Sequence, residues 1–305
     1  MKKSWGGPRV TVAARSSIVR WAKRHGFIDE ARSIEEIVTH CFYHPDGELP
    51  EHTVRFLRGF DRVVSLLGGR EEIVSQRLAQ VLRREVLAID PRPNPGLTTH
   101  IVEQWGDGLR ENGLPVDAAM SVQFEIRDRP ELHDRLRAGV GGANRIILCH
   151  PGSGGLEKCC PLEALEGFMA ALKSRGESPA WMIGPDEMER FGADYTHRLE
   201  GTAPVLYEES VETAADLAGG TDVFIGNDAG MTHVAALAGV STIALFGPTD
   251  PAVWRPLGPH VYICDLPGAL LPLDEWVRAM ASRVDTFSFA AQWCRNRSDN
   301  LLESG

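Results

Sequence analysis

The chain contains no apolar run near the ~20 residues needed to cross a bilayer, so nothing in it reads as a membrane-spanning helix. It does not open like a secretory leader either. In "MKKSWGGPRVTVAARSSIVRW" two lysines are followed by Gly, Pro and Arg where an apolar stretch would stand. Blocks of basic residues are missing, and the formal net charge is -10. Nucleic-acid affinity rests on Lys and Arg neutralising phosphates, so no nucleic-acid partner is expected. The six cysteines, at 41, 149, 159, 160, 264 and 294, include no CxxC pair. Adjacent Cys159 and Cys160 make a poor disulfide, and the expectation is a reduced, cytoplasmic protein. Also lacking are a Walker A sequence, a GxGxxG loop with a ribose-binding acid, a DxD triplet and any internal repeat.

What is present is an ordinary globular composition, 43% hydrophobic and 24% charged over 305 residues, which leaves room for two cores. Short β-branched runs alternate with helical ones. "RVTVAA", "DRVVSLL" and "EVLAI" read as strands, with helices at "SSIVRWAKRHG", "REEIVSQRLAQVLRR" and "TTHIVEQWGDGLRENG". The stretch from Leu114 to Gly142 reads as irregular and ends in the Gly-containing "RAGVGGAN". A second series runs from "RIILCH" through "AWMIG" and "APVLY" to "DVFIG". Strands alternating with longer helices imply parallel sheets, so the expectation is α/β: two Rossmann-like domains facing a cleft, residues 1–140 and 141–305. The C-terminal helical segment is expected to pack back on the first domain. Arginines in "RFLRGFDR" and "LRREV" read as a solvated helix face or as an acceptor-binding patch. His40, Cys41 and His44 resemble half a metal site, but no second pair of ligands is in register and Pro45 ends any helix, so no metal is expected.

Two stretches carry chemistry. In "CHPGSGGLEKCCP", Gly152, Gly154 and Gly155 let backbone amides approach an anion, while Ser153 offers a hydroxyl and Lys158 a point charge. By itself this is equally a structural strand-to-helix loop. In "DVFIGNDAGMTHVAALAGVSTIALFGPTDP" a loop leads into a helix whose first turn holds Met231, Thr232 and His233. Its free amides and positive dipole end suit an anion. Asp228 reads as a plain N-cap or as part of that site. Loops of this kind collect at the carboxyl ends of parallel strands, and two of them on one rim suit a diphosphate.

These two stretches resemble glycosyltransferase family 9, the bacterial lipopolysaccharide heptosyltransferases. The likeness covers roughly residues 143–265 and, more faintly, 9–115. It implies the GT-B fold, with the nucleotide-sugar donor held mainly by the C-terminal domain and the acceptor by the N-terminal one. It further implies an inverting, metal-independent transfer, without cofactor, from a donor such as ADP-heptose to a lipopolysaccharide-type core. The enzyme would then work in the cytoplasm, in peripheral contact with the inner face of the inner membrane. Carried over, Ser153, Gly154 and Lys158 would meet the donor phosphates. Asp228, Ala229, Gly230, Met231 and His233 would form the second phosphate and sugar-proximal wall, and Asp186 or Glu187 would reach the ribose.

Departures exist. Family members usually have Ser or Thr where Ala229 stands, and Trp where Cys160 stands. They also begin with a strand and a Gly-Asp loop whose Asp is the general base. Here the opening "RVTVAARSSIVRWAKRHG" resembles the second βα unit, so the base stays unassigned and slow or absent transfer by this chain is expected. A start codon placed too late or a lost base would each explain this. The expected rivals are a non-catalytic nucleotide-sugar binder and a GT-B-fold sugar-nucleotide epimerase.

Overall fold

A computed structural model describes residues 9–37, 40–44, 47–68, 72–114, 116, 130–140, 145–267 and 272–284. The chain divides into two units, Met1–Met120 and Ser121–Gly305.

In the first unit β1 (Thr11–Ala14) pairs in parallel with β2 (Glu30–Ser33), and α1 (Ser16–Arg24) crosses between them. Gly26, at φ 75°, turns the chain out of α1 as its position beyond the last turn predicts. A short α2 (Ile34–Ile37), a 3-10 turn (His40–Tyr43) and α3 (Glu51–Arg58) follow. The parallel pair β3 (Val64–Ser65) and β4 (Leu87–Ala88) is joined by α4 (Ile73–Leu82), and α5 (Ile101–Glu111) comes next. Phe42, Leu57, Val74, Leu78 and Leu82 bury one another here, joining α3 and α4 to the 3-10 turn. The sequence "EARS" of β2 has no apolar face. It forms because it extends a parallel pair, with Glu30 held by Arg9 at 2.8 Å and Lys23 at 3.1 Å.

The first described element of the second unit is α6 (Pro130–Gly139), where the sequence predicted irregular chain. The helix is charged over most of its length, and Leu136 with the following Val140 anchors it in a buried cluster shared with α9 (Val211–Gly219). Two apolar contacts are too sparse a pattern to announce a helix.

Six parallel strands then form one sheet: β5 (Ile147–His150), β6 (Pro179–Ile183), β7 (Val205–Tyr207), β8 (Val223–Asn227), β9 (Ser241–Phe246) and β10 (Val261–Asp265). Their spatial order is β10-β9-β8-β5-β6-β7. This is the doubly wound arrangement in which the first and fourth strands lie side by side and the connections part in opposite directions. That switch point falls between β5 and β8, with Cys149 opposite Ile225 and His150 opposite Gly226.

Both faces of the sheet are apolar, as parallel strands covered by helices require. Ile147, Cys149, Trp181, Ile183 and Ile225 point to one side, onto α7 (Leu162–Ser174) and α8 (Pro185–Glu200). Leu148, Ala180, Met182 and Phe224 point to the other, onto α9 and α10 (Gly230–Leu237). A short α11 (Pro251–Trp254) precedes β10.

The segment expected to pack back on the first domain includes a helix, α12 (273–284), and this helix lies on its own unit. Trp276, Met280, Ala281 and Val284 join the core around Phe168, whose ring meets Trp276 edge-on at 6.3 Å. Trp276 Nε1 also donates to Asp265 O at 2.8 Å. Residues 285–305 lie outside the described residues, as does Cys294. Among the described residues no helix is long and apolar enough to cross a membrane.

Candidate functional site

The carboxyl ends of β5 and β8 are tied together by one side chain. Asn227, the last residue of β8, is fully buried. Its Oδ1 accepts from Cys160 N at 2.8 Å, and its Nδ2 donates to Pro151 O at 2.8 Å and more weakly to Gly152 O at 3.4 Å. Both ends of the glycine loop after β5 are therefore strapped to the neighbouring strand.

Within the loop the glycines have different tasks. A Cβ at Gly152 would come within 1.9 Å of Glu187 Oε1, so this glycine makes way for a protein carboxylate. Gly154 is exposed and a Cβ there would meet nothing within 4 Å, which makes it the open approach to the loop backbone. Ser153 is buried, and its hydroxyl donates to Asp228 O at 2.8 Å. That hydrogen is committed within the protein, so Ser153 locks the loop to the next one. Lys158 closes a 3-10 turn (Leu156–Lys158) and points its Nζ at Asp228 Oδ2, 3.0 Å away.

Asp228 is not the N-cap of α10. The helix begins one residue later, with Ala229 in the cap position and no side chain capping it. The Asp228 carboxylate is instead the centre of a polar cluster. Its Oδ2 accepts from Lys158 and, at 2.8 Å, from Thr249 Oγ1 in the loop after β9; its Oδ1 lies 3.8 Å from His233 Nε2. Burial by itself would raise this carboxyl. The nearby His233 imidazole, the hydrogen bonds from Lys158 and Thr249, and the Lys158 charge reverse that and hold it down to about 2. Gly230 is exposed and Ala229 and His233 are partly exposed at the amino end of α10, where the first helical amides lack internal partners. Met231, by contrast, packs against the cluster of Leu148 and Phe224 beneath the sheet.

The two acids after β6 separate. Glu187 is buried, accepts from Gly184 N at 2.8 Å through Oε2, and sets Oε1 3.5 Å from His150 Nε2. Burial pushes the His150 imidazole below its usual range, against the opposing pull of the Glu187 charge. Asp186, in the same first turn, is exposed and is the one whose carboxylate is open to a ligand. Two neighbours of this cluster escaped the sequence reading. Thr249 is one. The other is Arg190, whose Nη1 donates to Ser153 O at 2.6 Å. Its only sequence signal is a cation in the second turn after a strand end. The His40–Tyr43 turn belongs to the first unit.

A doubly wound parallel sheet following a separate α/β unit is the arrangement of the GT-B glycosyltransferases. The same fold is seen in a glycosyl transferase family 9 structure from Veillonella parvula, with a TM-score of 0.70 and 16% identity, covering 95% of this chain and 91% of that one. It is seen again in the Escherichia coli heptosyltransferase WaaC with ADP, with a TM-score of 0.62 and 16% identity, over 94% and 92% of the two chains.

The chain belongs to glycosyltransferase family 9 (heptosyltransferase), whose model matches residues 84–270. It is 28% identical over 171 residues to lipopolysaccharide heptosyltransferase 3 of Escherichia coli, an alignment covering 52% of this chain and 50% of that protein. The chain thus spans about half the length of the curated relatives it matches.

Proposed function

We propose that this chain transfers a heptose from ADP-heptose to a hydroxyl of a lipopolysaccharide-type core, with inversion and without a metal. The second unit would hold the donor and the first the acceptor, in the cytoplasm at the inner face of the inner membrane. The observation that carries the reading is the pairing of two anion-friendly loops at the β5/β8 switch point, joined by the Lys158–Asp228 contact at 3.0 Å. The relatives support it: one is a lipopolysaccharide heptosyltransferase, and a solved structure of the same fold is described with ADP.

In the reaction the acceptor hydroxyl oxygen attacks the anomeric carbon and gives its proton to a base, while the bond to the diphosphate breaks on the opposite face and ADP departs. Negative charge grows on the departing phosphate. The uncrowded backbone at Gly154 and the first amides of α10 would meet that charge, with Lys158 shared between it and Asp228. On the acceptor side, a 480 Å³ cavity in the first unit supports a polar ligand, since Asp90, Arg92, Trp105, Asp107 and Glu111 line it.

Calorimetry with ADP, with and without EDTA, followed by a transfer assay with ADP-heptose and a core acceptor, tests the proposal. Binding unaffected by EDTA is expected, as is a transfer rate, however slow, that EDTA leaves unchanged. Strict metal dependence, or no binding of ADP, would overturn it.

A further inference from the structure

Lys158 is the evident cation at the glycine loop, yet its charge is already answered. The ammonium lies 3.0 Å from Asp228 Oδ2. With that carboxyl held down to about 2, the pair is ionised and neutral overall near neutral pH. An arriving diphosphate must share Lys158 with a buried carboxylate.

Arg190 is differently placed. It is exposed, its Nη1 donates to the backbone carbonyl of Ser153 at 2.6 Å, and among the described residues it has no carboxylate partner. A guanidinium has five N–H donors, so one bond to a carbonyl leaves most of the fork available. Burial raises the Cys159 thiol, and the Arg190 charge is the largest influence opposing that rise, in keeping with its contact to Ser153 in the same loop.

The backbone that delivers Arg190 is unusual. Gly192 has φ 76° and ψ -178°, a conformation almost restricted to glycine, and it breaks α8 in two. Pro185–Phe191 therefore forms a short separate piece at the end of β6, anchored by Glu187 on Gly184 N.

We infer that Arg190 is a donor-binding residue: its guanidinium takes the diphosphate of the nucleotide, and its bond to Ser153 O holds the glycine loop in its receiving shape. The inference rests on the donor reading above and adds to it the site's uncompensated positive charge. A planar fork also matches phosphate oxygens two at a time, which an ammonium cannot do.

The test uses the full chain and its Arg190→Gln and Arg190→Lys variants, with ADP and inorganic pyrophosphate titrated at low and high salt. Thermal melts check that the variants fold. Gln keeps a donor for Ser153 O but removes the charge; Lys keeps the charge but loses the fork. The expected result is a loss of about ten-fold or more for both ligands in Arg190→Gln, with a shallower salt dependence and a smaller loss in Arg190→Lys. Wild-type affinity in Arg190→Gln, or equal losses in the two variants with the salt dependence unchanged, would overturn the role of Arg190 while leaving the donor reading in place. Failure of the wild-type chain to bind either ligand would overturn the donor reading, and this inference with it.

Discussion

Lys158 Nζ and Asp228 Oδ2 lie 3.0 Å apart although the residues are 70 positions apart in sequence and sit in loops after different strands. On the proposed donor reading, the contact would give Lys158 two tasks, toward an incoming phosphate and toward a carboxylate that would otherwise repel it. Lys158→Ala should therefore weaken ADP binding by about 1.5–3 kcal/mol, the range for a hydrogen bond to a charged group. Adding Asp228→Asn should recover part of the loss, because the unanswered carboxylate is gone. Calorimetry on the two single variants and the double variant checks this, and strictly additive losses would count against it.

Asp228 also predicts an acid limb of stability. Its folded carboxyl, at about 2, lies below the ordinary 3.8, so the stabilisation is present above the ordinary value and disappears as pH falls toward 2. At neutral pH it should amount to about 2 kcal/mol. Urea unfolding of wild type and Asp228→Asn across this range should show the difference between them shrinking from about pH 5 downward. A difference independent of pH would show that the carboxylate's charge contributes nothing.

Gly192 adopts φ 76° and ψ -178° inside α8, where a side chain is strained whatever space surrounds it. Gly192→Ala should cost about 1–3 kcal/mol in unfolding free energy, although a Cβ there would meet no atom within 4 Å. The origin would be conformational, not steric. A helix-stabilising effect, as expected for Ala in an unbroken helix, would mean the kink is not maintained.

Trp276 fixes α12 through its edge-on contact with Phe168 and its bond to Asp265 O. Trp276→Ala should destabilise the second unit by about 3–5 kcal/mol. Trp276→Phe, which keeps an aromatic ring but not the donor, should cost nearer 1 kcal/mol. Chemical denaturation of the two variants tests the ratio.

The sheet of the second unit was legible because β5, β6, β8 and β9 are apolar on both faces, and such runs admit few other placements. The "EARS" strand was not, since its pairing with β1 leaves no apolar signature, and α6 was hidden by its scarcity of core contacts. At the site, the two loops could be read from their glycines and their places after strands. What each residue does there could not. Asp228 could be read equally as a cap or as a site residue, because the helix start could be placed only to within a residue. Its partner Thr249 comes from a third loop, and Arg190 contacts a carbonyl, a bond that no residue pattern announces.

The Asn227 strap has a kinetic consequence. A glycine-rich segment free in solution would have to be immobilised at every encounter, slowing capture and adding a second, saturable phase to the approach to equilibrium. Here Asn227 holds Pro151 and Cys160 at the segment's two ends before any nucleotide arrives, so that ordering was completed when the chain folded. Stopped-flow traces of nucleotide binding should accordingly rise as single exponentials whose rate grows linearly with ligand concentration, and Asn227→Ala should introduce the missing second phase.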